Sequence, residues 1–408
     1  MAGGTRQQKL MLTRRFGRTD LKMPILSCGG MRYQQSWVAS ADVSNESQSN
    51  VQATITHALE LGITHIETAR GYGTSEKQLG QILPKLPRDK MIVQTKVAPL
   101  AKPEQFENDV MDSLNRLQLP WVDLLSLHGV NNEAVLDWAL RPGGCLERAL
   151  DMKSRGIARH IGFSSHAPTD VIVAGIQDGR FDYVNLHYYW AFQNNARAVR
   201  QAAARDMGVF IISPSDKGGH LYNPPPKLVE LTAPFSPMVF NDLWCLCHSE
   251  VHTLSIGAKL PSDFDEHMKA VEIVTQSGLD LRSLIAPIEA RLQTELERAL
   301  GKDWANTWFH GLSEWQTMPG QINALEILRL YNMAKAFDMF EYARSRYNLL
   351  ENGGHWFPGR NAAEADKVDL TSALTQSPHA RLIPKRLTEA HQLLSGTQQN
   401  RLQSEEST

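Results

Sequence analysis

Short apolar runs that alternate with longer amphipathic stretches limit most strongly how this chain can fold. Such runs are typical of strands buried on both faces of a parallel sheet, and the stretches between them are typical of covering helices. Eight units predict a closed (β/α)₈ TIM barrel of the α/β class, because open doubly wound sheets usually stop at about five or six strands. The predicted strands span residues 25–28, 65–67, 91–95, 122–127, 160–163, 183–186, 209–212 and 252–256.

The length of 408 residues leaves room for more than a barrel, since a single core stops growing near about 250 to 300 residues. A hairpin over residues 11–23 would cover the bottom of the barrel. Helical patterns over residues 281–300 and 322–350 follow the last strand, and the composition then becomes polar. We expect a disordered N-terminus, the barrel, a helical C-terminal extension and a polar, disordered tail, at residues 1–10, 11–279, 280–362 and 363–408 respectively.

The composition argues against several classes of partner. The chain has 42 basic and 44 acidic residues, and this balance creates no field that would attract nucleic acid or anionic membrane. Its four cysteines are too few for a disulfide framework, which favours a reducing compartment, and no run reaches the roughly 18 apolar residues of a membrane span. We expect a cytoplasmic protein without nucleic-acid or membrane partners, for which a homo-oligomer stays open.

Three neighbouring predicted strands end in side chains that handle protons. Strand two ends at Glu67 and runs on to Tyr72, strand three ends at Lys96, and strand four is followed by His128. Reactive groups of a β/α barrel lie at the carboxyl ends of its strands, so these four residues are the candidate catalytic set. Taken singly, each has an ordinary structural explanation. Their order on consecutive strands favours the catalytic interpretation.

In this set, the phenol would act as a general acid with the help of the neighbouring charged groups. A nearby ammonium stabilises a phenolate and lowers the pKa of the phenol toward neutrality. Lys96 would supply that charge, and Glu67 would hold the lysine protonated and oriented. His128 would donate a hydrogen bond to a carbonyl oxygen that becomes an alkoxide, and Tyr72 would donate the proton.

The segment from Glu67 to Gly73 reads Glu-Thr-Ala-Arg-Gly-Tyr-Gly and resembles the acid-Thr-Ala-x-x-Tyr-Gly motif of the aldo-keto reductases. The resemblance extends over residues 12–277. It implies NADPH-dependent reduction of an aldehyde or ketone to an alcohol, with Tyr72 as the proton donor and Lys96 and His128 as its partners. Glu67 departs from the pattern, since the family has an aspartate there, one methylene shorter.

The cofactor site is predicted in the loops of the barrel, because no Gly-x-Gly-x-x-Gly segment follows a strand. The loop after strand eight enters a helix, and Ser262 and Asp265 have the spacing of a capping box at its start. The free amides at such a helix start suit a phosphate, and an ordinary capped helix is the alternative interpretation. The resemblance implies NADPH or NADP⁺, with Lys259 at the 2′-phosphate. The other predicted cofactor-binding residues are Gly30, Met31, Ser164, Ser165, Asn185, Ser213, Lys217, Gly257, Glu266 and His267.

The resemblance gives some of these positions specific partners. Ser165 stands where the family commonly has an asparagine for the nicotinamide carboxamide, and Asn185 falls at a second amide partner of that group. Glu266 and His267 fall at adenine-contacting positions. Ile212 replaces an aromatic residue that stacks on the nicotinamide in many members, and it would cover the ring without stacking.

Two metal interpretations receive little support. Cys245 and Cys247 are too close for the usual zinc-ligand spacing, and His252 opens a buried strand. The helical extension resembles a ferredoxin-like tail of one branch of the family, yet no cysteine follows Cys247, whereas an ordinary cluster needs four thiolates. We expect no metal, and an extension kept for packing, substrate coverage or oligomer contact, with Trp356 and Phe357 burying apolar area.

Two alternatives to a carbonyl-reducing enzyme stay open. A barrel that binds nicotinamide with weakened catalysis would act as a redox sensor or partner subunit, and it would bind NADPH without turnover. An unrelated barrel lyase or isomerase would bind no nucleotide. Because barrel specificity lies in the loops, the sequence leaves the carbonyl substrate unidentified.

Overall fold

Strands and helices alternate along the chain in the computed structural model, which describes residues 11–276, 278–351 and 358–397. The strands are β1 (Thr13–Arg15), β2 (Lys22–Pro24), β3 (Leu26–Gly29), β4 (His65–Glu67), β5 (Ile92–Val97), β6 (Val122–Leu127), β7 (Ala158–Ser164), β8 (Tyr183–Leu186), β9 (Gly208–Ile211) and β10 (Thr253–Gly257). The helices are α1 (Asn45–Glu60), α2 (Ser75–Gly80), α3 (Pro103–Leu117), α4 (Glu133–Leu140), α5 (Cys145–Ser154), α6 (Thr169–Gln177), α7 (Ala196–Ala203), α8 (Pro226–Thr232), α9 (Pro237–Leu246), α10 (Asp265–Val274), α11 (Leu281–Leu300), α12 (Lys302–Thr307), α13 (Ala324–Phe337), α14 (Phe340–Tyr347) and α15 (Ile383–Leu394).

Strands β3 to β10 are parallel and form a closed barrel, in which β10 pairs with β3 and completes the ring. Every predicted strand is present, with ends that differ from the prediction by no more than two residues. The strands are short and largely buried, as expected where helices cover one face and side chains fill the other. The prediction of a (β/α)₈ barrel with a helical C-terminal extension is confirmed.

The N-terminal hairpin of β1 and β2 closes the amino end of the barrel. Its turn carries Phe16, which is fully buried and packs against Tyr183 and His252, each with 5.6 Å between ring centroids. Gly208, at the start of β9, leaves the space for this ring, since a Cβ there would lie 2.6 Å from it. The hairpin is therefore part of the barrel core.

The described residues divide into two compact units. The first, at residues 11–218 and 241–281, contains the barrel, and the second, at 219–240 and 282–397, is helical. The segment 219–240 therefore belongs to the helical unit, although it precedes the last barrel strand. The predicted boundary at residue 279 overlooked this insertion because its helical pattern matches that of a barrel helix. None of the described helices is both long and apolar enough to cross a membrane.

The helical extension begins with α11 at the predicted position. The predicted helix at 322–350 is two helices, α13 and α14, separated at Asp338, whose φ is +57°. Aspartate adopts this left-handed conformation more readily than most residues, because its short side chain can hydrogen-bond locally. The helical periodicity continues through the break, so the sequence pattern alone did not indicate it.

The C-terminal tail differs from its prediction, because residues 363–397 are folded. Helix α15 lies within a polar stretch, and its narrow apolar stripe packs inward. The buried residues of that stripe are Ile383, Leu387, Ala390 and Leu394. The predictions for residues 1–10, for Trp356 and Phe357 and for residues 398–408 lie outside the described residues.

Candidate active site

The carboxyl ends of β4, β5 and β6 bring the predicted catalytic residues to one rim of the barrel. Glu67 is the last residue of β4, Lys96 lies one residue before the end of β5, and His128 directly follows β6. Parallel pairing aligns Glu67 with Gln94 and Lys96 with Ser126. The three strand ends therefore lie side by side.

Tyr72 lies in the tight loop that follows β4. Two amides of this loop, those of Thr68 and Arg70, donate to carbonyl oxygens of β5 at 2.9 Å and hold the loop along that strand. Gly73 has a φ of +51°, and a Cβ there would lie 1.9 Å from the carbonyl oxygen of Ser36. Glycine is thus required directly after the tyrosine, and it turns the loop so that Tyr72 stays near β5.

The Lys96 ammonium is at the centre of the site. Its side chain is 1% exposed, and Nζ donates to the Glu67 carboxylate, to the carbonyl oxygen of Thr68 at 2.8 Å and to the Tyr72 hydroxyl at 3.4 Å. Burial by itself lowers the pKa of Lys96, but the charges of Glu67 and Tyr72 and the hydrogen bonds to them outweigh burial and raise it. Lys96 therefore remains an ammonium beside the phenol.

His128 completes the set. Its ring lies nearly perpendicular to that of Tyr72, with an interplanar angle of 86° and 5.6 Å between centroids. The His128 amide donates to the carbonyl oxygen of Val97 at 2.7 Å, which fixes its backbone to the end of β5. An ammonium, a phenol and an imidazole thus lie together, and such a group can deliver a proton to a carbonyl oxygen.

One contact of this site was not predicted from the sequence. The second carboxylate oxygen of Glu67, Oε1, accepts a hydrogen bond from Ser255 Oγ at 2.9 Å. Ser255 lies on β10, 188 residues farther along the chain, and its side chain is buried. The alternation of strand β10 could have placed Ser255 inside the barrel, but no local motif identifies Glu67 as its partner.

Asn185 on β8 fits a carboxamide ligand. Its side chain is fully buried, and neither Nδ2 nor Oδ1 has a hydrogen-bond partner. A buried amide without partners is costly, so its donor and acceptor suit a ligand that offers the complementary pair, as the nicotinamide carboxamide does. Ser164, the Cα partner of Asn185 on β7, has a hydroxyl that accepts from the Gly129 amide at 3.1 Å.

Ser165 does not face a ligand in the way that the family resemblance implied. Its hydroxyl donates to the carbonyl oxygen of Val130 at 2.6 Å and accepts from the Ala167 amide at 3.1 Å. These bonds fix the loop after β7 and use the hydroxyl proton. A serine is too short to hold this loop and reach a carboxamide together, whereas an asparagine carries two separate polar atoms.

The loop after β10 differs from its predicted capping box. Asp263, not Ser262 or Asp265, provides the cap, and its carboxylate accepts from the amides of Lys259 at 2.7 Å and Leu260 at 3.1 Å. The turn begins two residues earlier than predicted, with Leu260 at the N-cap and Pro261 at the first helical position, so the third helical position falls on Asp263. The amides of Lys259 and Leu260 are therefore bound to a carboxylate. The Lys259 side chain is exposed.

His267 is buried, in contrast to the predicted adenine contact. Its Nδ1 lies 2.5 Å from Oδ2 of Asp242, and its Nε2 lies 3.3 Å from the Ser215 hydroxyl. Asp242 is itself buried, so this contact is part of the packing behind the loop. Glu266 is partly exposed and pairs with Lys269 at 2.5 Å. Of the two predicted adenine positions, only that of Glu266 reaches the surface.

The remaining predicted cofactor residues lie in loops or at a strand end at the same rim. A Cβ at Gly30 would lie 2.6 Å from the carbonyl oxygen of Glu67, so the first loop passes directly over the end of β4 and continues to the partly exposed Met31. Gly257 is the Cα partner of Gly29 at the end of β10. In the loop after β9, the carbonyl oxygen of Ser213 accepts from the Lys217 amide at 3.0 Å.

Comparison with other proteins identifies related sequences. The sequence model of the Aldo/keto reductase family matches residues 25–219. An aldo-keto reductase of Mycolicibacterium vanbaalenii is 30% identical over 275 residues, which cover 64% of this chain and 90% of that protein. The L-galactose dehydrogenase of Arabidopsis thaliana is 24% identical over 310 residues, or 69% of this chain and 94% of that protein. The NADH-specific methylglyoxal reductase of Escherichia coli is 29% identical over 156 residues, 33% of this chain and 47% of that protein.

Solved structures have the same fold. The holo form of an aldo-keto reductase of Bacillus halodurans superimposes with a TM-score of 0.57 at 22% identity, over 69% of this chain and 96% of that one. This likeness concerns the fold. Together with the family match and the 30% identical relative, which is covered almost completely, the sequence and the site geometry place the chain in the aldo-keto reductase family.

Proposed function

We propose that this protein reduces an aldehyde or ketone to an alcohol, with a reduced nicotinamide dinucleotide as cofactor and Tyr72 as the proton donor. The observation that carries the proposal is the position of the buried Lys96 ammonium, which contacts both Glu67 and the Tyr72 hydroxyl. The coarser assignment, an oxidoreductase of the aldo-keto reductase family, follows from family membership.

In the proposed mechanism, each residue has one role in the transfer of a proton from Tyr72 to the substrate. The Tyr72 hydroxyl gives its proton to the carbonyl oxygen of the substrate, and the Lys96 ammonium stabilises the phenolate that is left. His128, next to the Tyr72 ring, donates a hydrogen bond to the same oxygen and orients it. Glu67 keeps Lys96 charged and in place, and here its longer side chain reaches the ammonium.

The cofactor supplies hydride when it is bound, and the chain supplies alignment. The unpartnered Asn185 amide would hold the carboxamide, and Ser164 lies beside it on β7. Gly30, Met31, Ser213, Lys217 and Gly257 would line the same rim. Lys259, with its exposed ammonium, would bind the 2′-phosphate and favour NADPH over NADH.

A carbonyl-panel assay tests the reaction and the cofactor choice together. The wild-type protein should oxidise NADPH only in the presence of an aldehyde or ketone. Lys259→Ala should weaken NADPH binding by about tenfold and leave NADH binding within about twofold, since only NADPH carries the phosphate. Binding of NADPH without turnover on any carbonyl would favour a sensor or partner subunit, and equal losses for both dinucleotides would refute the role of Lys259.

A further inference from the structure

The Glu67 carboxylate is held at both oxygens by residues of different strands. Oε2 accepts from Lys96 on β5, and Oε1 accepts from Ser255 on β10 at 2.9 Å. Strand β3 lies between β10 and β4, so the Ser255 hydroxyl and the Glu67 carboxylate meet across an intervening strand. This contact links the eighth strand of the barrel to the second.

Gly29 of β3 makes the contact possible. It is the Cα partner of Glu67 on one side and of Gly257 on the other. A Cβ at Gly29 would lie 2.7 Å from Ser255 Oγ and 3.2 Å from Glu67 Oε1. Because the shorter of these separations is below any normal contact distance, a side chain at Gly29 would displace the Ser255 hydroxyl. The missing side chain leaves the gap in which the hydrogen bond forms.

We propose that Ser255 is a positioning residue for the active site, whose hydroxyl fixes the Glu67 carboxylate so that its other oxygen holds Lys96 against Tyr72. The proposal rests on the proposed carbonyl reduction and adds to it a residue that the sequence motif does not contain. Ser255 acts only through Glu67 and Lys96.

The physical need for this second anchor follows from the length of Glu67. A glutamate has one more rotatable bond than an aspartate, so its carboxylate has more orientations to lose when it is fixed. A hydroxyl that donates to an ionised acceptor in a buried site forms a strong, directional bond, and it selects one of these orientations. An aspartate at residue 67 would end one methylene short and would lose the reach toward β10.

A merely structural serine on the neighbouring strand provides a matched control. Ser27 of β3 is the Cα partner of Ser255 and is likewise buried. Its hydroxyl lies 2.7 Å from His65 Nδ1 and 2.7 Å from the Thr253 hydroxyl. Replacing Ser27 by alanine removes the same hydroxyl group from a neighbouring strand and leaves the contacts of Glu67 with Lys96 and Ser255 intact.

The kinetic test compares Ser255→Ala with Ser27→Ala in the wild-type and Glu67→Asp backgrounds. Ser255→Ala should lower kcat about tenfold with little change in NADPH affinity, because it loses a hydrogen bond to a charged group. Ser27→Ala should leave kcat within about twofold. In the Glu67→Asp background, Ser255→Ala should have no further effect. An equal loss in both backgrounds, or an equal loss in both serine variants, would overturn the proposal.

A second readout works without turnover. Ultraviolet difference titration follows phenolate formation, and subtraction of the Tyr72→Phe spectrum isolates Tyr72 among the nine tyrosines. Ser255→Ala should raise the Tyr72 midpoint by about 0.5 to 1 pH unit, since the less solvated carboxylate offsets more of the Lys96 charge. Gly29→Ala, which displaces the hydroxyl, should act likewise. An unchanged Tyr72 midpoint in both variants would refute the proposal. If the midpoint shifts in the variants but the wild-type protein reduces no carbonyl, only the proposed function is refuted.

Discussion

The pair formed by Lys96 and Glu67 links the stability of the fold to the protonation of the lysine. Both side chains are almost fully buried, so each depends on the other to remain charged away from water. The raised pKa of Lys96 means that the folded protein binds this proton more tightly than the unfolded chain. The stability gained in this way is fully present below the pKa of an unfolded lysine and is lost as the pH rises through the folded pKa.

Removal of one member of this pair should therefore lower the free energy of unfolding much more than removal of both. Lys96→Met leaves a buried carboxylate and should lower the free energy of unfolding by about 3 to 5 kcal/mol, whereas Lys96→Met with Glu67→Gln should recover most of that loss. Urea denaturation at neutral pH measures both values. If Lys96→Met alone cost less than about 1 kcal/mol, the carboxylate would not be trapped in a dry site.

Single residues could be predicted where a local motif accompanied them. Tyr72, Lys96 and His128 each follow a recognisable strand, so their meeting at one rim could be expected from the order of strands. The bond from Ser255 to Glu67 depends on strand closure and on one glycine between them. Neither is encoded near either residue, and the burial of His267 against Asp242 escaped prediction for the same reason.

At the scale of elements, the hairpin of β1 and β2 makes a specific contribution to the barrel. Phe16→Ala should lower the free energy of unfolding by about 3 to 5 kcal/mol, because it empties a site between Tyr183 and His252 that the backbone cannot refill. Lys22→Ala on the same hairpin is exposed and should stay within about 0.5 kcal/mol. Comparable effects of both substitutions in thermal or urea unfolding would show that the hairpin is not part of the core.

Elements were predictable where their pattern was strong and unbroken. The barrel strands were found because each is a short apolar run, and α11 because its helical period lasts for five turns or more. Helix α15 was missed because its apolar stripe lies in a polar stretch. The break between α13 and α14 was missed because it depends on the backbone conformation of Asp338 and Met339, which the helical periodicity does not reveal.

At the scale of the whole molecule, cofactor binding and folding should be linked through Asn185. The buried amide has no partner in the protein, so Asn185→Ala should change the free energy of unfolding by no more than about 1 kcal/mol without cofactor. NADPH at a hundred times its dissociation constant should stabilise the wild type by about 2.7 kcal/mol, and at the same concentration it should stabilise Asn185→Ala much less.

Unfolding with and without NADPH measures both effects. The opposite pattern, in which Asn185→Ala loses stability without cofactor but gains the full stabilisation from NADPH, would identify Asn185 as a packing residue of β8. In that case the cofactor site would have to be sought elsewhere on the rim.

The role of Tyr72 as proton donor is tested most directly by a comparison of wild type with Tyr72→Phe, in which NADPH affinity and the rate of carbonyl reduction are measured on the same samples. The phenylalanine variant should bind NADPH within about twofold of wild type and reduce carbonyls at least about 100-fold more slowly, because only the donated proton is lost. Reduction at an undiminished rate would contradict the role of Tyr72 as the proton donor.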